Sequence, residues 1–258
     1  IQMYNYYIFI IIYMCISASA SIKSFSINLI SSLALIVFGN KSLKTYNYIF
    51  AMFSIYVSLM QLVDYGIWID LDCKKGFNKA SSLFGPILNY FQPLALFAIM
   101  YIIFNYTSHG KITKLNVKTS KVNKDLFDNF SILSKKKNIT KILTILYTAF
   151  IVYTLYKFYT RNNIFCTKLD RGHLKWKWLS YDFKEAIVFG YVYLIVIYSI
   201  LFVDPNSNYV KLVMFLYFAL LMVSYFKNSL HMGEIWCYLS NSIPLLLLLA
   251  QKVFKIST

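Results

Sequence analysis

Charge is scarce in this sequence, and acid scarcer than base: 10 Asp and Glu against 26 Lys and Arg, with 3 His, in 258 residues. Charged residues total 14%. A soluble domain carries about 25%, so an ordinary globular domain in water is excluded. The 8 glycines form no phosphate-cradling loop, and no serine nucleophile motif is present, which removes those two chemistries. Histidine is too rare for a ready zinc centre, because a zinc hydrolase buried in a helical bundle takes about three histidines. His109 falls on the opposite face from the other two. Asp64, His173, His231 and Glu234 remain as weak candidate metal ligands, the last two sharing one helical face. Retinal is argued against as well, since a Schiff-base lysine must stand mid-helix and the last apolar run offers only Lys252, at its end. No cofactor is predicted.

What the sequence has instead is apolar length. Hydrophobic residues are 59% and the mean hydropathy is positive. A hydrocarbon layer about 30 Å thick asks about 20 apolar residues of a helix. Seven runs near that length follow one another, at 22–39, 46–69, 82–106, 139–159, 185–203, 209–226 and 235–254. The expectation is an all-α polytopic membrane protein, a seven-transmembrane helix bundle filling residues 22–254, with a basic loop at 107–138 inside it. Residues 1–21 read as an N-terminal extension, whose apolar stretch lacks the basic leader of a secretory signal. It is a helical extension, an eighth short span, or sequence upstream of a native start at Met14.

Lysine and arginine orient such a bundle. Threading the runs puts 12 of them on the face that holds the N-terminus and 14 on the other, with 9 of the 14 between Lys111 and Lys141. Six acids fall on the first face and three on the second. The more basic face is placed in the cytoplasm, with the N-terminus outside and the C-terminus inside. The 107–138 loop then reads as a segment that binds anionic lipid, not nucleic acid.

The same threading brings Cys15, Cys73, Cys166 and Cys237 to the outer face, together with Trp68, Trp176, Trp178 and Trp236. An oxidising compartment permits disulfides there. In a closed seven-helix ring the first and last helices are neighbours, which favours Cys15 with Cys237 and Cys73 with Cys166; the alternative is four free thiols packed as small hydrophobes. Against this orientation stand glycosylation sequons at Asn40, Asn105, Asn129 and Asn138, all on the face assigned to the cytoplasm.

An aspartate at the centre of a span costs about 2.5 to 3.5 kcal/mol to insert, so polar residues in spans face the bundle interior and mark sites. The second run carries Gln61, Asp64 and Trp68 at spacings that form one stripe. The third carries Asn89 and Gln92, then Pro93, which invites a kink. The seventh carries His231, Glu234, Tyr238 and Asn241, and the first Ser21, Ser24, Asn28 and Ser31. These stripes meet in the outer half of the bundle. One reading is helix-to-helix glue at about 0.6 kcal/mol per bond, which suits the serine stripe. The other is a small ligand pocket around Asp64, with His231 and Glu234 as its partners unless Glu234 stands in water at the helix start. Above it, residues 170–178 alternate lysine with tryptophan. They form either an interfacial belt or a lid tethered by Cys166 that holds His173 over the mouth.

The stretch Met14-Cys15-Ile16-Ser17-Ala18, the motif Gln61-Leu62-Val63-Asp64 followed by Trp68, the pair Gln92-Pro93 and the pair Trp236-Cys237 resemble an uncharacterised family of small multi-pass membrane proteins of bacteria and large DNA viruses of protists. That family begins Met-Cys-Phe/Trp-Ser-Ala and has Gln-Leu-x-Glu-x-x-x-Trp ending its second helix. Here Ile16 replaces the aromatic and Asp64 the glutamate. The resemblance implies a fold, a start at Met14 and a set of residues, and no activity. The leading expectation is a receptor-like or sensory protein binding a small ligand or a proton in an outward-facing pocket; the rivals are a small-solute or ion transporter or channel, and a metal-dependent membrane hydrolase.

Overall fold

The computed structural model describes residues 17–108, 137–161, 165–170, 172–176, 192, 207–227 and 232–253. They form α1 (Ala18–Phe38), α2 (Lys44–Trp68), α3 (Phe77–Ser108), α4 (Lys137–Arg161), α5 (Asn208–Lys227), α6 (Met232–Ser240) and α7 (Ile243–Val253). A 3-10 turn spans Lys41–Leu43, and a two-residue hairpin pairs β1 (Leu169–Asp170) with β2 (His173–Leu174) in antiparallel register. The protein is all-α. Among the described residues, Ala18–Phe38, Lys41–Trp68, Phe77–Ile103 and Asn208–Phe226 are long and apolar enough to cross a membrane. The predicted run 185–203 lies outside the described residues except for Val192, which is helical and packs on the core.

α1 is inside out by the standards of a soluble helix. Its buried face is Ser21, Ser24, Asn28, Ser31, Ser32 and Leu35, while Ile30 is 68% exposed and Val37 67%. In water that arrangement would strand apolar surface and bury polar groups. Against hydrocarbon it is the stable one, because lipid tails accept isoleucine without cost while serine and asparagine must find partners inside. The helix starts at Ala18, within the stretch read as an extension, because the Ser17 hydroxyl accepts the Ala20 N–H at 3.2 Å and caps it.

α2 is the axis of the molecule, buried along most of its circumference. A tight turn at Gly39 brings it back beside α1, and a Cβ there would collide with the Leu35 carbonyl and the Asn47 amide. At this end a polar knot ties four segments. The Tyr209 hydroxyl and the Gln251 amide both donate to Asn47 Oδ1 at 2.8 Å, and the Asn40 N–H donates to Gln251 Oε1 at 2.7 Å. The rings of Tyr46 and Phe50 meet Tyr209 edge-on just above. Towards the other end α2 and α3 touch at Gly66, where any side chain would strike the Ser81 hydroxyl.

α3 runs unbroken through Pro86 and Pro93. Each proline removes one rung from the hydrogen-bond ladder, that of the Ser82 or Asn89 carbonyl four residues before it, and α4 adds a bond at the next carbonyl. Tyr159 donates to the Leu83 carbonyl at 2.6 Å and Tyr147 to the Tyr90 carbonyl at 2.9 Å, in each case three residues before a proline. Neighbouring helices satisfy backbone groups in this way where water is absent.

The run 235–254 is not one helix. It breaks between α6 and α7, because Pro244 has no N–H to offer Ser240 and its ring crowds that carbonyl. The chain tightens instead through Asn241 to Tyr238 and Ser242 to Leu239 backbone bonds. The Asn241 carbonyl is taken by Asn28 Nδ2 at 3.2 Å, and Asn241 Nδ2 donates to Ser24 Oγ at 2.7 Å. Ser24 and Asn28 of the α1 stripe thus tie that helix to the break.

Candidate functional site

The site is built from the loop between α2 and α3 upward. Asp70, buried beyond the end of α2, accepts the N–H groups of Lys75 at 2.9 Å and Asn78 at 3.1 Å, capping the start of α3 from a distance. Burial alone would raise the Asp70 carboxyl; the N–H donors outweigh it and hold the group below its ordinary value. Asn78, fixed by that cap, grips the peptide of Thr167 on both sides, receiving its N–H at 2.8 Å and donating to its carbonyl at 2.9 Å. Ser82 adds a bond to Thr167 Oγ1 at 2.8 Å. A disulfide joins Cys73 to Cys166, Cα to Cα 6.0 Å, with Cys73 held at φ 59 by its N–H to the Asp70 carbonyl at 2.9 Å. Residues 165–167 are thus latched to the 2-3 loop.

From this latch the β1–β2 hairpin turns at Gly172, where φ of +84 calls for glycine. It closes with Lys175 N–H to the Lys168 carbonyl at 2.9 Å and delivers Trp176 into the bundle. Trp176 is 4% exposed, and its Nε1 donates to Asp64 Oδ1 at 2.9 Å. The described part of this segment is tethered by Cys166 and packs onto α2 through Trp176. The residue it inserts is Trp176, not the His173 that the lid alternative singles out; its signal is the distance from Cys166, about ten residues, enough for one short hairpin. Burial holds the half-buried His173 imidazole below its ordinary value.

Beneath the lid lies the stripe on α2. Gln61 and Asp64 are each 1% exposed. Asp64 Oδ2, both polar atoms of Gln61 and the Trp68 Nε1 are buried and meet no hydrogen-bond partner among the described residues. Buried polar groups are ordinarily paired, the more so inside a membrane. These four atoms, spread over two helical turns, are the candidate site. On α3, Asn89 and Gln92 are buried as expected. Asn241 belongs chiefly to the α1 contact, with its Oδ1 left over. His231, Cys15, Trp178 and the side chain of Glu234 lie outside the described residues. Cys237 is buried beside Trp236, whose indole donates to the Tyr217 carbonyl at 3.4 Å.

The described residues hold no group of three metal-binding side chains. An open groove of about 690 Å³ does exist on α4, lined by Ile145, Val152, Tyr153 and Tyr156. It is apolar, faces outward, and shares no residue with the stripe. No family model, no curated protein and no solved structure matches the chain.

Proposed function

We propose that the protein is a receptor-like seven-helix membrane protein that binds a small polar ligand at an outward-facing site on α2. The observation that carries this reading is the set of buried, unfilled groups on Gln61, Asp64 and Trp68 beneath a disulfide-latched lid. Stability alone does not call for such an arrangement, since unpaired polar atoms in a low-dielectric interior each cost about 1–3 kcal/mol. The motif that carries the family resemblance is the same stripe.

Seven crossings are supported by direction. α4 runs toward the latch, with Tyr147 at Tyr90 and Tyr159 at Leu83. α5 runs the same way, with Tyr209 at Asn47 and Tyr217 at Ser54. Two successive helices that point the same way need an odd number of crossings between them, which the run 185–203 would supply. An outside position for the lid fits its disulfide, and the Asn40 sequon fits the inside, its side chain being occupied in capping the Lys41–Leu43 turn.

A receptor is favoured over a transporter because the way inward is packed. Below the stripe, Phe50, Phe53 and Val57 are almost fully buried, and the Asn47 knot closes the end. A metal hydrolase is less favoured at this carboxylate, since no two further metal-binding side chains join it among the described residues. The test is a thermal-shift panel of small polar solutes on the chain in nanodiscs, paired with flux measurements in vesicles. A ligand at a hundred times its Kd should add about 2.7 kcal/mol, with no solute flux. Flux through the parent chain would move the assignment to the transporter.

A further inference from the structure

The unfilled groups beneath the lid are of two kinds, and together they describe the ligand. Asp64 Oδ2 and Gln61 Oε1 are acceptors; the Gln61 amide N–H groups and the Trp68 indole N–H are donors. The carboxylate is the dominant member. Its one described partner is the neutral indole of Trp176, and a carboxyl so deeply buried is ionised only in company with a cation, which a ligand ammonium would supply. No lysine, arginine or ion pair meets it among the described residues, where the recorded salt bridge joins Lys74 to Asp72 on the exposed loop.

From this inventory we infer that the site takes a small primary ammonium that also carries an uncharged oxygen acceptor, an amino alcohol being the simplest case. The inference rests on the proposed ligand-binding role of the stripe and names its substrate class. A primary ammonium has three N–H donors, enough to serve Asp64 Oδ2 and Gln61 Oε1, which lie on side chains one helical turn apart. A quaternary ammonium offers none. A metal ion would fill the acceptors but leave the Gln61 and Trp68 donors empty, whereas a hydroxyl or carbonyl oxygen answers them. A second carboxylate on the ligand would repel Asp64, which excludes amino acids.

The same chemistry is found on a free amino alcohol and on an ethanolamine lipid headgroup. The experiment uses the full chain in nanodiscs of pure phosphatidylcholine, with thermal stability read against ethanolammonium, ethylammonium, choline, ethylene glycol and glycine. Ethanolammonium should bind best, ethylammonium about tenfold more weakly, and the other three at least a hundredfold more weakly. Asp64→Asn should abolish the response. Trp68→Phe, which removes one N–H from a half-buried ring and serves if the aspartate variant misfolds, should erase the preference for ethanolammonium over ethylammonium. Replacing part of the lipid with phosphatidylethanolamine identifies the source, because a headgroup already in the site would blunt the response to the free amine. An Asp64-dependent response to ethylene glycol without one to either primary amine would overturn the ammonium assignment and leave the ligand site standing. Equal responses of parent and Asp64→Asn to every solute would overturn both.

Discussion

Asp64 has one oxygen on an indole and the other on nothing described. In the absence of ligand, Asp64→Asn keeps the Trp176 bond through its amide oxygen and removes the cost of a buried charge, so the variant should be as stable as the parent or more so. Loss of stability exceeding about 1 kcal/mol in thermal unfolding would mean that the carboxylate is a structural member instead. Asn28 makes the opposite case. It bonds the freed Asn241 carbonyl and receives the Ser32 hydroxyl at 3.2 Å, so Asn28→Ala should cost roughly 1 to 2 kcal/mol, read in the same assay with no effect on ligand preference. Asp70 predicts a pH dependence. Its folded value is depressed by the Lys75 and Asn78 donors, so the folded chain holds fewer protons than the unfolded one. The stability it contributes is present above the ordinary aspartate value of about 3.9 and lost as pH falls through the lower folded value. Proteolysis at the lid should therefore accelerate in strong acid, and Asp70→Asn should remove that pH step.

The hairpin lid is the element on which access depends, and its tether has a long reach: the disulfide closes a 93-residue separation. Loop-closure entropy on that scale is worth about 4 to 5 kcal/mol. Reduction, or Cys73→Ser with Cys166→Ser, should lower thermal stability and raise the accessibility of Trp176 to a polar quencher. Unchanged quenching would show that the Asn78 grip on Thr167 holds the lid unaided. How much of this was legible in the sequence differs by element. The apolar runs and the 3-4 spacing of Gln61, Asp64 and Trp68 announced α2 and its stripe, because helix period and membrane thickness are imposed by backbone geometry. The break at Pro244 is hidden by the five leucines, Leu245 to Leu249, that follow it. A proline at the start of a helix and one in its middle look alike until a partner such as Asn28 takes the loose carbonyl. The Trp176 insertion was beyond periodicity altogether, since it depends on a side-chain amide, Asn78, mimicking a strand to seat the hairpin.

As a whole the molecule is a bundle with its polarity turned inward: serines and asparagines against neighbours, isoleucines and phenylalanines against the surroundings. That inversion is what a hydrocarbon exterior selects, and it leaves one end closed by the Asn47 knot and the other by a disulfide-latched lid. Orientation is tested by a tag inserted between Lys118 and Lys121, which should stay inaccessible from outside intact cells; external labelling would reverse the topology and carry the site to the cytoplasmic face. The most direct measurement joins site and side: binding of labelled ethanolammonium to sealed right-side-out vesicles containing the parent chain or Asp64→Asn. Saturable binding from the exterior to the parent, absent in the variant, is the expected result. Equal binding to both, or binding that appears only when the vesicles are opened, would contradict an outward-facing site built on Asp64.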